Sequence, residues 1–430
     1  MPKWGDSVSE HTIEQVVSEA LKSGTIGPEG RAFAFHDLAL LRSRLSILKQ
    51  TFPANTLHAI AIKANPLVRL LADVVEAQCG LEAASMEEVC IAEAARCAAE
   101  KIVFDSPVKT IPELHESFDK GYVVNVDNFV ELARIDEILR HGDNYGDIGL
   151  RVNPMVGAGN IAITSVGDGA SKFGVRIDTE KAQILKAFDD YPWLRGLHIH
   201  IGSQGCDLQM LVAGAARIAE LMLEIRARHG EERIKFVDLG GGLPVAYTDA
   251  DRPPSLEEYV EALERAVPEL FSGPHYLITE FGRAVQSGCG FALAKVEYVK
   301  PYGDHQLAAI HLGADMFMRP VYLPAQWKHR YLVLDQYGKI KPGTEERYTI
   351  GGPLCFAGDV LCKDEAFPLI EPEDYVVIRD TGAYTISMWN RHCSRGIPAV
   401  KGFEVNDNSI SFTSLFTGES AKDIADFWAS

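Results

Sequence analysis

The chain has 430 residues, is 47% hydrophobic and 24% charged, and sets 42 basic against 60 acidic side chains, a formal charge of −18. This is an ordinary globular composition, which excludes disordered, collagen-like and low-complexity classes. Net acidity argues against non-specific binding to nucleic acid or anionic membrane, and no apolar run approaches the ~18–20 residues of a bilayer span.

Met1–Glu10 lacks a basic-then-apolar leader, so a soluble cytoplasmic protein is expected. The eight cysteines form no C-x-x-C pair, which speaks against structural zinc and against a disulfide framework. Length alone suggests two or three domains at ~150 residues each, although an α/β barrel runs ~250 residues as one.

The first forty residues read as an entry segment: a helix over Thr12–Lys22, a short strand at Phe33–Phe35, then an amphipathic helix over Leu38–Leu48. From residue 57 apolar runs alternate with helical patterns. Strands are predicted at Leu57–Ala61, Leu81–Ala84, Ile102–Phe104, Tyr122–Val126, Gly149–Val152, Gly196–Ile201, Lys235–Leu239 and Tyr276–Glu280. Helical periods lie between them, as at Pro66–Ala77, Met86–Ala98 and Leu208–Arg228. An open doubly wound sheet gives a similar alternation. Eight strand–helix units favour a closed (β/α)8 TIM barrel.

After Gly282 the pattern changes. Phe291–Val299, Gln306–His311, Tyr331–Asp335, Arg347–Ile350, Tyr375–Asp380 and Ser409–Leu415 read as strands with little helix between. The expectation is an antiparallel β domain. The tail, Thr417–Ser430, has helical spacing at Ile424 and Phe427.

In a barrel the chemistry gathers where strands end. The first end is Ala61-Ile62-Lys63-Ala64-Asn65. A lone lysine commonly snorkels to solvent. Inside an apolar run it is instead desolvated, which lowers its pKa and makes an amine nucleophile fit for a Schiff base. The second and fifth ends bring Glu82 and Arg151; the sixth is His198-Ile199-His200-Ile201-Gly202-Ser203-Gln204. His198 and His200, at i and i+2, share a strand face. They fit either a divalent metal or one imidazole lying over an aromatic cofactor. Few further ligands stand at neighbouring strand ends, which disfavours the metal.

The seventh end carries Gly240-Gly241-Gly242 and the eighth Glu280-Phe281-Gly282-Arg283. Glycine N–H groups and an arginine fork after strands seven and eight suit a phosphate. Lysine, phosphate cradle and a carboxylate for a ring nitrogen together describe a pyridoxal 5'-phosphate site, with Glu280 as that carboxylate.

Six segments carry a resemblance: Ala61–Asn65 (AIKAN), Ser171–Gly174 (SKFG), His200–Gln204 (HIGSQ), Asp238–Gly242 (DLGGG), Glu280–Arg283 (EFGR) and Asp380–Tyr384 (DTGAY). In this order the chain resembles the fold-type III pyridoxal phosphate decarboxylases of ornithine, diaminopimelate and arginine, most of all the diaminopimelate branch. The resemblance implies a barrel over 41–285 and a C-terminal β domain over 286–430. Residues 1–40 would pack with the β domain. It implies a head-to-tail homodimer with shared active sites. The implied reaction takes meso-2,6-diaminopimelate to L-lysine and CO2.

Carried across by position, Lys63 attaches the cofactor and His200 stacks on its ring. Ser203, Gly240, Gly241, Gly242, Gly282, Arg283 and Tyr384 hold the phosphate. Glu280 meets the ring nitrogen, and Glu82 and Arg151 join the cofactor set. Cys355, in GPLCFAGD, is implied as a proton donor supplied by the partner chain, with Asp359 beside it. Arg319 and Tyr322, in MRPVYLP, are implied to take a distal carboxylate.

Three departures matter. Phe281 replaces a usual proline and Glu82 a usual aspartate. Phe356 stands where diaminopimelate enzymes carry a glutamate, and it cannot accept a hydrogen bond from an ammonium. A second reading is therefore a decarboxylase of another carboxylate-bearing amino acid in siderophore, antibiotic or polyamine synthesis. An amino-acid racemase and a metal-dependent hydrolase are weaker alternatives.

Overall fold

Eight short apolar segments become parallel strands because both of their faces are covered, the pattern that burial on two sides writes into a sequence. They are Leu57–Ala61, Gly80–Ala83, Ile102–Phe104, Val123–Val126, Ile148–Asn153, Leu194–His198, Phe236–Asp238 and Tyr276–Thr279. This is a computed structural model, and it describes residues 3–28, 30–140, 145–157, 159, 161, 167, 169, 171–343, 345–406 and 409–429. Each strand pairs with the next in parallel register, and the last returns to the first through Ile278↔Leu57. The ring is closed, as expected of a TIM barrel. A two-residue strand, Val175–Arg176, also joins Val152 and Asn153, which the sequence did not suggest.

The helices start on side-chain caps. Ser85, Thr110, Asn128 and Asp207 each accept an N–H from the first turn of the helix that follows. Low in the barrel, Phe236 packs with Ala59, Val103, Val123 and Ile278. Gly196 makes the room for it: a Cβ there would stand 2.1 Å from the Phe236 ring.

The chain divides into two compact units. One is the barrel, Arg42–Val245 with Arg252–Val285; the other is Met1–Leu41, Ala246–Asp251 and Gln286–Ser430. The stretch Ala246–Asp251, which lies inside the barrel range by sequence, belongs to the second unit.

That unit is built on one nine-stranded sheet. It is mixed rather than wholly antiparallel. Ala32–Asp37 runs parallel to Ala399–Asn406, and His305–Ile310 runs parallel to Glu346–Gly351. A parallel pair needs a crossover. For the second pair the crossover is the chain through helix Met318–Tyr322 and strand Tyr331–Leu334. Two strands had no clear sequence signal, Val360–Phe367 and Ala399–Asn406. The first contains the exposed run Lys363-Asp364-Glu365, with Asp364 at φ 52°. The C-terminal helix, Ala421–Ala429, buries Ile424 and leaves Phe427 52% exposed.

Candidate active site

The barrel strands end on a ring of charged and polar side chains. Lys63 sits in the tight turn Ile62–Ala64 directly after the first strand. Its Nζ lies 2.5 Å from both carboxylate oxygens of Glu82 on the second strand. Burial pushes Glu82 up to about 7, while the Lys63 ammonium pulls the other way.

Asp105 follows the third strand and was missed by the sequence reading. Its only signal was the position of Phe104-Asp105-Ser106 at a strand end. Its carboxylate receives Arg151 Nη1 at 3.0 Å, with both side chains buried. Burial acts against the charge, but Arg151, then His198 and Lys63, hold Asp105 down at about 2. Phe173 covers the other side of Arg151, with its ring centroid 4.5 Å from Cζ.

His198 is the last residue of its strand and wholly buried. His200 lies two residues beyond the strand, so the shared strand face expected of the pair does not form. Burial lowers the pKa of both rings; for His200 the Arg151 and Lys63 charges lower it further. The Gly241 N–H donates to His200 Nδ1 at 3.1 Å.

The triple-glycine turn is held from below. Asp238 accepts the Gly240 N–H and an N–H of Asn125, each at 2.9 Å. Gly240 adopts φ +65°, and a Cβ on it would come within 2.4 Å of the Ile199 carbonyl. On the far side of this turn, Arg283 donates from Nε and Nη2 to Ser203 Oγ at 3.3 and 3.1 Å. A Cβ on Gly282 would approach the Ala64 Cβ to 2.8 Å. The expected lysine, glycine, serine and arginine positions therefore meet at one barrel mouth.

Glu280 tests the fit of a cofactor. It is 3% exposed, and neither carboxylate oxygen has a hydrogen-bond partner. His198 Nε2 and His200 Nδ1 each lie 3.7 Å from one of those oxygens, beyond hydrogen-bond distance. Burial, then Asp238, Glu82 and Asp105, push its pKa well above the carboxylate range. A buried, unsatisfied acid of this kind is completed by a cationic N–H, which a protonated pyridine ring supplies. Asp105, His198 and Glu280 also bring ligand atoms within 4.8 Å of one another. Arg151 already sits on Asp105, and Lys63 adds a second positive charge, so a divalent cation there would meet two fixed cations.

The remaining expected residues belong to the second unit. The Arg319 guanidinium lies 4.7 Å from the Trp327 ring and 4.9 Å from the Tyr384 ring. Tyr322 is 61% exposed and stacks on Phe356 at 5.9 Å and 8°. Cys355 is exposed. Asp359, which the resemblance sets beside Cys355, is buried in its own loop. It accepts the Ala314 and Leu354 N–H groups, each at 2.6 Å.

Comparison with known proteins gives the family. Residues 38–287 match the family model of the pyridoxal-dependent decarboxylase pyridoxal-binding domain. A diaminopimelate decarboxylase of Bacillus subtilis is 31% identical over 386 residues, 86% of this chain and 86% of that one. One from Campylobacter jejuni is 28% identical over 367 residues, 84% of this chain and 88% of that one. The crystal structure of the M. jannaschii diaminopimelate decarboxylase with L-lysine superposes with a TM-score of 0.82 at 25% identity, covering 95% of this chain and 93% of that one. The family match spans the whole barrel, glycine turn included, and the chain belongs to the pyridoxal-dependent decarboxylases.

Proposed function

We propose that this decarboxylase acts on meso-2,6-diaminopimelate, releasing CO2 and forming L-lysine. The observation that carries the reading is that Lys63, held by Glu82, and the buried, unsatisfied Glu280 follow neighbouring strands of one barrel. The named relatives support the substrate. Pyridoxal phosphate supplies the electron withdrawal that makes loss of CO2 from Cα possible.

The chain's own groups do the rest. Lys63 would anchor the cofactor through its Nζ. Glu280, buried and unsatisfied, would hold a proton at the ring nitrogen away from water. His200, kept neutral by burial, would lie against the ring. Glu82 and Arg151 belong to the same cofactor-binding set. Gly240, Gly241, Gly242, Ser203, Gly282, Arg283 and Tyr384 hold the phosphate. Arg319 and Tyr322 orient the distal carboxylate. Cys355, from the partner protomer of a head-to-tail homodimer, returns a proton to Cα. Among the described residues no helix is long and apolar enough to cross a membrane.

The test is CO2 release from meso-diaminopimelate with L-lysine as product, lost in Lys63→Ala. Mixing Lys63→Ala with Cys355→Ala chains restores part of the turnover if sites are shared; a mixture no more active than its two homodimers refutes sharing. A second reading keeps the reaction and changes the substrate. Phe356, stacked on Tyr322 and edge-on to His392 at 5.9 Å, puts an apolar ring where the resemblance implies a carboxylate for a distal ammonium. A panel of acidic and basic amino acids separates the two.

A further inference from the structure

Two of the three exposed cysteines stand together. The Cys355 N–H donates to Cys393 Sγ at 3.4 Å. A cysteine's amide nitrogen is only three covalent bonds from its own Sγ, so the two sulfurs are within a side-chain rotation of each other. The other thiols are unlike them. Cys79, Cys97 and Cys206 are buried and pushed up to about 11, and Cys362 to about 12, by desolvation. Cys289 is buried, and Cys90 stands on the helix Met86–Ala94.

The placement is held from both sides. The loop of Cys355 is tied down by Asp359, which accepts the Leu354 and Ala314 N–H groups. The turn of Cys393 is tied to the same segment. Asn390 donates to the Ala314 carbonyl at 2.6 Å from Nδ2 and to the Asp315 carbonyl at 3.0 Å from its N–H. Arg395 Nε reaches the Asp315 carboxylate at 2.9 Å. Between these anchors Cys393 and Ser394 take φ +56° and +53°, two successive non-glycine residues in the left-handed region. Strain of this kind persists only where surrounding contacts over-determine it. Here it turns Cys393 toward Cys355.

We propose that Cys355 and Cys393 are a reversible redox pair whose disulfide switches the decarboxylase off, with a hydroperoxide as oxidant. The claim about activity rests on the reading of Cys355 as proton donor; the claim about the disulfide does not. One thiolate attacks the peroxide O–O bond, becomes a sulfenic acid and, with one proton taken up, releases water. The second thiolate attacks that sulfur, the S–S bond forms, and hydroxide leaves to be protonated to a second water. Overall two thiols lose two electrons and two protons, and hydrogen peroxide becomes two waters. The bond removes the S–H that would reprotonate Cα. Dithiol reductants reverse it by exchange.

The experiment treats the holoenzyme with hydrogen peroxide, blocks remaining thiols by alkylation and maps peptides by mass. The expected product is a Cys355–Cys393 linked peptide two hydrogens lighter than its parts. Turnover falls at least ~10-fold, in line with the loss of a general acid, and dithiothreitol restores it. Cys393→Ser keeps basal turnover, forms no link, and its peroxide inactivation becomes resistant to dithiothreitol as the lone thiol passes to sulfinic acid. Absence of the link in oxidised wild type, or unchanged reversible inactivation in Cys393→Ser, overturns the pair. A quantitative link with full turnover overturns the switch and the proton-donor reading while leaving the disulfide standing.

Discussion

Gly241 donates its backbone N–H to Nδ1 of His200, so that nitrogen must offer a lone pair and the ring carries its proton on Nε2. Burial and the neighbouring cations keep the ring neutral. His200 can therefore lie against a cofactor without adding charge to it. We expect His200→Asn to hold the cofactor ~10-fold more weakly, with little change in fold stability, because a buried-face stacking contact is worth ~0.5–1.5 kcal/mol. Equilibrium titration of the apoprotein with pyridoxal phosphate checks this; unchanged affinity refutes it.

Glu280 separates stability from function. Its carboxylate is buried without a partner until a cationic nitrogen meets it. Glu280→Gln should stabilise the apoprotein by about 1–3 kcal/mol at pH above the ordinary carboxylate range, where the unfolded carboxyl ionises and the buried one resists it. The same change should lower kcat by ~10²–10³-fold, because an amide does not hold the ring proton. Urea unfolding and steady-state turnover measure the two effects; a variant that loses both or neither contradicts the assignment.

The barrel floor makes a coupled prediction. Gly196→Ala forces a Cβ against the Phe236 ring and should cost about 1–3 kcal/mol. In a Phe236→Leu background most of that cost should vanish. A double-mutant cycle in chemical denaturation reads the difference; strict additivity would place the strain elsewhere.

Acid should loosen the barrel through two histidines. His58 and His275 are each lowered from 6.5 to about 4 by burial, with Lys49 and Arg226 adding to it. The unfolded chain protonates these groups below pH 6.5 and the folded one only near 4. Stability is therefore complete above 6.5 and falls as pH drops from 6.5 to 4. Removing one such proton in His58→Gln should flatten the stability–pH slope by up to ~1.4 kcal/mol per unit in that window. An unchanged slope would mean His58 titrates normally in the fold.

The barrel was legible because strands buried on both faces write continuous apolar runs, and its site residues fall where those runs stop. Asp105 was equally placed but has no motif around it, so only reading every strand end would have found it. The link from Asn125 through Asp238 to Gly240 joins residues 113 positions apart and leaves no local trace. The mixed sheet was less legible for two reasons. Val360–Phe367 carries its charges outward in an unbroken run. Ala399–Asn406 takes its parallel partner from the opposite end of the chain.

That last pairing bears on biosynthesis. Strand Ala32–Asp37 is bordered by Gly290–Tyr302 on one side and Ala399–Asn406 on the other. On a ribosome adding ~5–20 residues per second, it waits roughly 15–50 s for its first neighbour and longer for its second. Throughout that interval a nascent Phe33-Ala34-Phe35 has an open backbone edge on both sides. Trigger-factor-type holdases that shield such edges should raise the yield of this polypeptide more than that of its barrel alone.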